Sequence, residues 1–186
     1  MNCRRFVLIA ALLLAEAACA GLPISNVDYS LGYLPGEELY AGNNVPVIVI
    51  GNPFAVPQAE FATATIDAMQ GWSAGPDHFV LASDPNAVYR VVVMANPSNN
   101  VIGETLCIRP PSAQPIFGAA PAPRIPLAAA LCRGNSYLAY TYGSIAADDG
   151  PRGDGFRQGF GYFIRPLFPA RNPQRTYDRG CGFGFC

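Results

Sequence analysis

Four cysteines in the second half of the chain are the side chains whose type and spacing define a chemistry most directly. Cys107, Cys132, Cys181 and Cys186 are even in number, and in an oxidising compartment they predict two disulfide bonds. Of the three pairings that four cysteines permit, we favour Cys107–Cys132 and Cys181–Cys186, because the second pair is five positions apart in a Gly-rich stretch that bends freely. The chain has no CxxC motif and a single histidine, so neither a metal site nor a cofactor is expected.

His78 is the candidate general base, and it lies in a Gly-Pro-Asp-His-Phe loop that enters a predicted strand. A hydrolase would need a nucleophile beside it, and we assign it no serine partner. Cys107 or Cys132 would complete a thiol–imidazole pair, but an even number of cysteines in an oxidising compartment favours disulfide bonds. Glu37-Glu38 and Asp148-Asp149 are adjacent pairs of carboxylates in polar, turn-like segments, and both pairs are expected to be solvated loop charges. The sequence therefore predicts no catalytic residue.

The first twenty residues have the three parts of a secretory signal peptide. Arg4 and Arg5 give a positively charged start, and residues 6–15 form an unbroken apolar run of ten. As a helix this run would be about 15 Å long, half the hydrocarbon thickness of a bilayer, and Glu16 closes it. We therefore predict that residues 1–20 are a signal peptide, and that the protein is exported to the periplasm or cell envelope.

Two processing routes stay open at the end of this segment. Small residues at positions 15, 17, 18 and 20 suit a general signal peptidase, which would release the protein. Alternatively, Ala17-Ala18-Cys19 resembles the lipobox of bacterial lipoproteins, which implies a lipid anchor on Cys19, although Glu16 stands where that motif has an aliphatic residue. In its signal segment and composition, the chain resembles the small exported or lipoprotein-type proteins of proteobacteria.

Two apolar runs predict strands on either side of a helix. Residues 45–51 are continuous, apolar and β-branched over the length of a strand, and residues 89–95 repeat this pattern. Residues 58–70 between them predict a helix, with Gly71 just past its end. The first strand, the helix and the second strand are compatible with a parallel crossover unit.

A Pro-rich stretch divides these elements from a predicted hairpin. Residues 105–109 are expected to be a short strand, and the six prolines of residues 110–126 predict an extended connector. Residues 125–133 and 136–142 are two β-rich runs, and the pair Gly134-Asn135 between them predicts a tight turn.

The order of elements predicts an α+β domain over residues 45–145. We expect two layers, with one main helix packed on a mixed sheet of four or five strands. Residues 21–44 are polar and turn-rich and are expected to be a surface lead-in, while residues 146–186 are expected to be a loop-rich tail. About 166 residues remain after the signal peptide, enough for one domain with a sizeable core.

The net charge changes sign near Gly150. Residues 21–150 hold ten acidic residues and four arginines, a net charge of −6, whereas residues 151–186 hold two and six, a net charge of +4. Arginine interleaved with aromatic rings and glycine suits anionic or interfacial partners. The predicted contacts are the arginines Arg165, Arg171, Arg175 and Arg179, with Phe160, Tyr162 and Phe163 as apolar anchors.

Two interpretations of this basic aromatic tail stay open. In the first, it folds back on the acidic body and its aromatic rings complete the core. In the second, it binds an anionic membrane surface or an envelope component, and nucleic acid is not expected as a partner of an exported protein. We expect a cell-envelope protein with a non-enzymatic binding or structural role. The alternatives are an exported hydrolase that uses His78 and a secreted host-facing effector.

Overall fold

The computed structural model describes residues 24–36, 44–72, 78–97, 101–108 and 124–177. The described residues form six strands and four α-helices in an α+β arrangement, which confirms the predicted fold class. In chain order the elements are β1 (Ile24–Tyr29), β2 (Asn44–Ile50), α1 (Gln58–Met69), β3 (His78–Leu81), β4 (Tyr89–Ala95), α2 (Gly103–Ile108), β5 (Arg124–Arg133), β6 (Ser136–Ala146), α3 (Asp154–Ile164), a 3-10 turn (Arg165–Leu167) and α4 (Pro173–Tyr177). Within these ranges, no helix combines the length and the hydropathy that a bilayer crossing requires.

Several predicted features fall wholly or partly beyond the described ranges. They are the signal peptide at residues 1–20, residues 21–23 and 37–43 of the lead-in, residue 109 of the predicted short strand, residues 110–123 of the Pro-rich connector, and residues 178–186 of the tail. The last three residues of the predicted connector are described and begin β5.

One mixed sheet contains the six described strands in the order β1-β6-β5-β4-β2-β3. β2 runs parallel to β3 and to β4, in agreement with the predicted parallel crossover, and the other neighbours are antiparallel. β5 and β6 form the predicted hairpin. Gly134 in its turn has a φ of 56°, a left-handed conformation that glycine adopts without steric cost.

The prediction of a surface lead-in over residues 21–44 is wrong for Ile24–Tyr29, which form the edge strand β1 beside β6. With β1 and β3 the sheet has six strands, whereas four or five were predicted. Ser25 and Asn26 are exposed, because an edge strand does not have to bury both of its faces. The strand therefore lacks the continuous apolar run that marks β2 and β4.

The predicted short strand at residues 105–109 is also wrong, because Gly103–Ile108 form the helix α2. Leu106 and Cys107 are buried against the face of the sheet opposite α1. The predicted disulfide bond Cys107–Cys132 is confirmed and joins α2 to β5, with Cα atoms 5.5 Å apart. A helix of six residues is too short to show its period in the sequence, and packing decides its conformation.

The predicted loop-rich tail is wrong for residues 154–164, which form the helix α3 and belong to the core. Phe156, Phe160, Phe163 and Ile164 recur at helical spacing and are each 0% exposed. They share one buried cluster with α1 and the main face of the sheet. The interpretation in which the tail folds back on the body is thus confirmed for α3.

Two side chains fix the position of α3. Asp149 is exposed, as expected, and its carboxylate also accepts a hydrogen bond from Gly155 N at 2.9 Å in the first turn of the helix. Further along, Gly161 lies directly against the indole of Trp72, and a Cβ at this position would overlap the ring. The close approach of α3 to the end of α1 therefore requires glycine.

The second face of the sheet carries a smaller buried cluster, which the predicted two-layer arrangement does not include. α2 contributes Leu106 and Cys107 to it, and the strands contribute alternate residues to those that face α1 and α3. The strand residues of this cluster are Val92, Met94, Ala128, Ala130, Cys132 and Tyr140. The disulfide bond lies within this cluster.

Replacing Cys107 and Cys132 together by alanine should lower the free energy of unfolding by about 3 kcal/mol, because their bond closes a long loop in the unfolded chain. Urea unfolding of the oxidised proteins measures this loss. The double variant Cys181→Ala/Cys186→Ala is the matched control and should lose less, because those positions are only five apart. An unchanged urea midpoint in the first variant would contradict the role of the bond.

Candidate interaction surface

Three of the four predicted contact arginines lie on the surface from the end of α3 to α4. Arg165 follows α3 directly, and Arg171 and Arg175 come later in the same segment; all three are exposed. Residues 165–177 contain these three arginines and no acidic residue. Arg179 lies outside the described residues. The structure thus presents exposed arginines on a short basic segment that directly follows the core helix α3.

Two tyrosines of the N-terminal segment hold this basic segment in place. The Tyr29 hydroxyl donates to Pro166 O at 3.0 Å, and the Tyr33 hydroxyl donates to Pro169 O at 3.1 Å. Burial raises the pKa of Tyr29 above its ordinary value, so the ring donates as a neutral phenol. Both bonds join residues more than a hundred positions apart in the sequence.

Side-chain hydrogen bonds also join the basic segment to the turn that follows β1. The Asn172 amide donates to Ser30 O at 3.1 Å and to Tyr33 O at 3.0 Å, and Asn172 is itself buried. Arg175 Nε donates to Leu31 O at 3.2 Å. The arginines are therefore attached to an ordered backbone on both sides of Asn172.

The prediction that Phe160 and Phe163 anchor a partner is wrong, because both rings are fully buried in the core. They occupy the inner face of α3, where helical spacing directs residues 156, 160 and 163 toward the sheet. Tyr162, on the outer face, is exposed and packs beside Trp72, with ring centroids 5.1 Å apart. Of the three predicted anchors, Tyr162 alone remains on the surface.

Two leucines beside the basic segment are exposed instead. Leu31 is 63% exposed and Leu34 is 45% exposed, and both lie in the turn that Asn172 and Arg175 hold. They were not predicted as contact residues because they fall in the predicted lead-in. Two leucines within a segment that reads Ser-Leu-Gly-Tyr-Leu-Pro-Gly were an available signal, since turns of this composition are ordinarily polar.

The structure describes two of the four cysteines assigned to disulfide bonds. Cys107 and Cys132 are bonded to each other, so neither is a free thiol for a pair with His78. Cys181 and Cys186 lie outside the described residues, as does Cys19, the predicted lipidation site.

His78 is exposed at the start of the edge strand β3. The expectation that it has no serine partner overlooks one motif, because residues 71–75 read Gly-Trp-Ser-Ala-Gly and match the GxSxG spacing. A nucleophile elbow joins a strand to a following helix. Here the motif follows α1 and precedes β3, the reverse order, and Ser73 itself lies outside the described residues. The chain order around the motif thus does not match that of a nucleophile elbow.

Arg90 is buried, and its guanidinium group joins two elements of the fold through hydrogen bonds to backbone carbonyls. Its Nη1 donates to Ala87 O at 2.9 Å and its Nη2 donates to Cys107 O at 2.5 Å, so it ties the start of β4 to α2. Desolvation lowers the pKa of this guanidinium from its ordinary value.

Among the described residues, no group of three His, Cys, Asp or Glu side chains is placed to hold a metal ion.

Asp28 of β1 is engaged by neighbouring side chains. The Tyr137 hydroxyl donates to Asp28 Oδ2 at 2.7 Å, and Gln174 Nε2 lies 3.5 Å from Asp28 Oδ1. Desolvation, together with the hydrogen bond to Asp28, raises the pKa of Tyr137 to about 12 from 10.0. These contacts of Asp28 connect β1 to the hairpin and to α4, and α4 belongs to the basic segment.

No protein-family model and no curated protein sequence matches this chain. Solved structures of PelC from Paraburkholderia phytofirmans, described as dodecamers, are similar to it at 13% identity. A single-residue variant of PelC has a TM-score of 0.44, with 78% of this chain and 98% of that chain covered. A second PelC structure has a TM-score of 0.42 and covers 77% and 97%. Likeness at this level carries no argument about function or assembly.

The Tyr137–Asp28 pair predicts a specific dependence of stability on pH. Because the folded protein raises the phenol pKa from 10.0 to about 12, the neutral ring stabilises the fold below pH 10 and this contribution is lost as the pH rises through 12. Tyr137→Phe should therefore be less stable than the wild type at about pH 8 and should lose less stability between about pH 9 and 12. Urea unfolding across this range is the measurement. Tyr162→Phe, at an exposed ring, is the matched control, and an equal alkaline loss in Tyr137→Phe would contradict the assignment.

Proposed function

We propose that this chain is an exported cell-envelope protein with a non-enzymatic binding role, and that Arg165, Arg171 and Arg175 bind an anionic partner. The observation that carries this proposal is the exposure of three arginines across residues 165–177, a segment without an acidic residue. The partner is an anionic membrane surface or an anionic component of the envelope.

The attachment of the basic segment supports a binding role. Side-chain hydrogen bonds from Tyr29, Tyr33 and Asn172 fix the backbone that carries the arginines. A partner therefore meets arginines on an ordered backbone and has to immobilise only their side chains. Guanidinium groups bind phosphates and carboxylates through paired hydrogen bonds, so the chemistry fits an anionic partner.

The expected strength is moderate. One arginine close to an anionic membrane contributes about 1 kcal/mol, so three contribute about 3 kcal/mol, or about a hundredfold in affinity. These exposed charges are screened by salt, which makes the interaction sensitive to ionic strength. A moderate and salt-sensitive affinity suits a protein that docks reversibly on a surface, or that adds this contact to a lipid anchor on Cys19.

The disulfide bond Cys107–Cys132 supports the proposed location outside the cytoplasm. Disulfide bonds persist in oxidising compartments such as the periplasm and are rare in the cytosol. The charged start and short apolar run of residues 1–20 belong to the same proposal, with release or lipidation as the two processing routes.

Intact-mass analysis of the protein recovered from cells tests this location. We expect a chain that has lost residues 1–17 or 1–20, or one that begins at a lipid-modified Cys19, with the mass of two disulfide bonds. Osmotic release of the periplasm, followed by membrane sedimentation, assigns each form to a fraction. A full-length chain with free thiols in the cytosol would overturn the export proposal.

The triple variant Arg165→Gln/Arg171→Gln/Arg175→Gln should bind washed envelope fractions about a hundredfold more weakly than the wild type. Glutamine keeps much of the side-chain length and removes the charge. Binding of the wild type should also weaken when the salt concentration rises from about 50 mM to about 500 mM. Cosedimentation measures both effects.

The matched control for this triple variant is Arg152→Gln/Arg157→Gln. Both arginines are exposed and belong to the C-terminal third of the chain, but each pairs with a carboxylate, Glu60 or Asp154. The control should bind as the wild type does. If the triple variant binds as tightly as this control, the arginines do not carry the interaction.

A further inference from the structure

A tight turn after β1 holds two leucines away from the protein. Tyr33 N donates to Ser30 O at 3.0 Å, and Gly32 N donates to Ser30 Oγ at 3.1 Å. This turn places Leu31 at its corner, and Leu34 follows it. Tyr33 lies between the two leucines and is 0% exposed, with its hydroxyl bonded to Pro169 O. The exposure of the leucines therefore results from a fixed backbone.

Two guanidinium groups lie at this turn, and a third arginine is adjacent in sequence to a residue that holds the turn. Arg175 Nε donates to Leu31 O at 3.2 Å, and Arg171 adjoins Asn172, whose amide holds the turn. Arg133, at the end of β5, reaches the turn from the other side, since its Nη2 is 3.6 Å from the place that a Cβ on Gly32 would take. Residues 29–36 and 165–177 contain no acidic residue, and the acidic residues that flank them in the sequence are Asp28, Glu37, Glu38 and Asp178. The Asp28 carboxylate is engaged by the Tyr137 hydroxyl.

A further exposed apolar residue lies at the same end of the sheet. Ser30 N donates to Leu138 O, which places the turn beside the start of β6. Gly134 N donates to Val88 O, which places Val88 beside the β5–β6 turn that precedes β6. Val88 is exposed, so this end of the sheet combines apolar and basic residues over several strands.

We propose that the Leu–Arg surface, formed by Leu31, Leu34, Arg171 and Arg175, docks on a bilayer that contains anionic phospholipids. The leucines enter the headgroup region, and the guanidinium groups bind lipid phosphates. This inference rests on the proposed function, and it specifies the partner as a lipid surface and Leu31 and Leu34 as its apolar anchors.

The combination of residues favours a bilayer over a soluble polyanion. An envelope polysaccharide or polyphosphate offers anionic groups to the arginines but no apolar volume for the leucines. The bilayer interface offers both, because an apolar side chain is buried about 5–10 Å into the boundary between the acyl chains and the headgroups that carry the phosphates. Two leucines on a turn fixed by Tyr33 insert without prior ordering of the backbone.

Vesicle cosedimentation with the Leu31→Ser/Leu34→Ser variant tests this proposal. Every protein in the test is the full exported chain with Cys19→Ala, so that no acyl chain contributes. On phosphatidylcholine vesicles with about 30% phosphatidylglycerol, the variant should partition at least about tenfold more weakly than its parent. The parent should bind phosphatidylcholine alone far more weakly, because the charge contribution is lost.

The matched control is Val80→Ser/Leu81→Ser. These residues are 38% and 47% exposed, and they lie on β3, at the opposite edge of the sheet from β1. The control should bind vesicles as the parent does, and circular dichroism confirms that both variants are folded. If the Leu31→Ser/Leu34→Ser variant binds vesicles as tightly as the control, the lipid proposal is overturned.

A second measurement follows insertion directly and does not depend on a weakened variant. The emission of Leu31→Trp, corrected for native Trp72, should shift to the blue on anionic vesicles, whereas Leu81→Trp should not respond; equal responses would overturn the proposal.

The arginine triple variant and the leucine variant together distinguish a failure of the lipid proposal from a failure of the proposed function. If the arginine triple variant loses envelope binding while the Leu31→Ser/Leu34→Ser variant binds vesicles as its parent does, the arginines still bind an anionic partner, but the proposal that this partner is a lipid bilayer fails. If the triple variant binds envelope fractions normally, both fail.

Discussion

The burial of Phe156, Phe160 and Phe163 against the sheet ties the C-terminal third of the chain to the body of the protein. Each fully buried ring contributes about 1.5–3 kcal/mol, so three rings contribute an amount comparable to the whole stability of a typical domain. α3 therefore cannot leave the sheet without unfolding the protein. The basic segment follows α3 directly, so its arginines are attached to a helix that is packed in the core.

A second consequence of this packing concerns the N-terminal segment. β1 is an edge strand with few apolar residues, and it pairs along one side with β6. The basic segment closes over its end, through Tyr29, Tyr33 and Asn172, and so the two ends of the chain stabilise each other. The opposite face of the sheet depends on a different link, the disulfide bond that holds the six-residue helix α2. A helix of that length has too few internal hydrogen bonds to persist without such an attachment.

The elements that the sequence predicts well are those with a strong and continuous pattern. β2, β4 and the hairpin are long apolar runs with turn residues at their ends, and α1 has a proline before it and a glycine after it. The elements that it misses lack such a signal. β1 has polar residues on an exposed face, α2 is too short to show a period, and α3 contains Gly155, Gly159 and Gly161, which lower helix propensity and give the segment the composition of a loop.

The same physics explains which site residues were predictable. Arginine is exposed almost wherever it occurs, so Arg165, Arg171 and Arg175 follow from residue type alone. An aromatic residue is buried or exposed according to its face on an element, and without α3 in the prediction the inner Phe160 and Phe163 were indistinguishable from the outer Tyr162. Leu31 and Leu34 stand out in the local sequence as leucines in a turn-rich segment, but their exposure depends on contacts with residues more than a hundred positions away.

The charge around the leucines also bears on self-association as an alternative way to cover them. A symmetric dimer through this surface would place the same patch of each copy against the other, so Arg171 and Arg175 of both copies would face each other across the contact. Like charges brought together in a desolvated interface oppose association. The apolar residues alone would favour a second copy, whereas the arginines beside them oppose it and favour an anionic partner. The placement of the leucines on this turn, beside the arginines of the segment that holds it, is what directs the surface toward phosphate-bearing lipid.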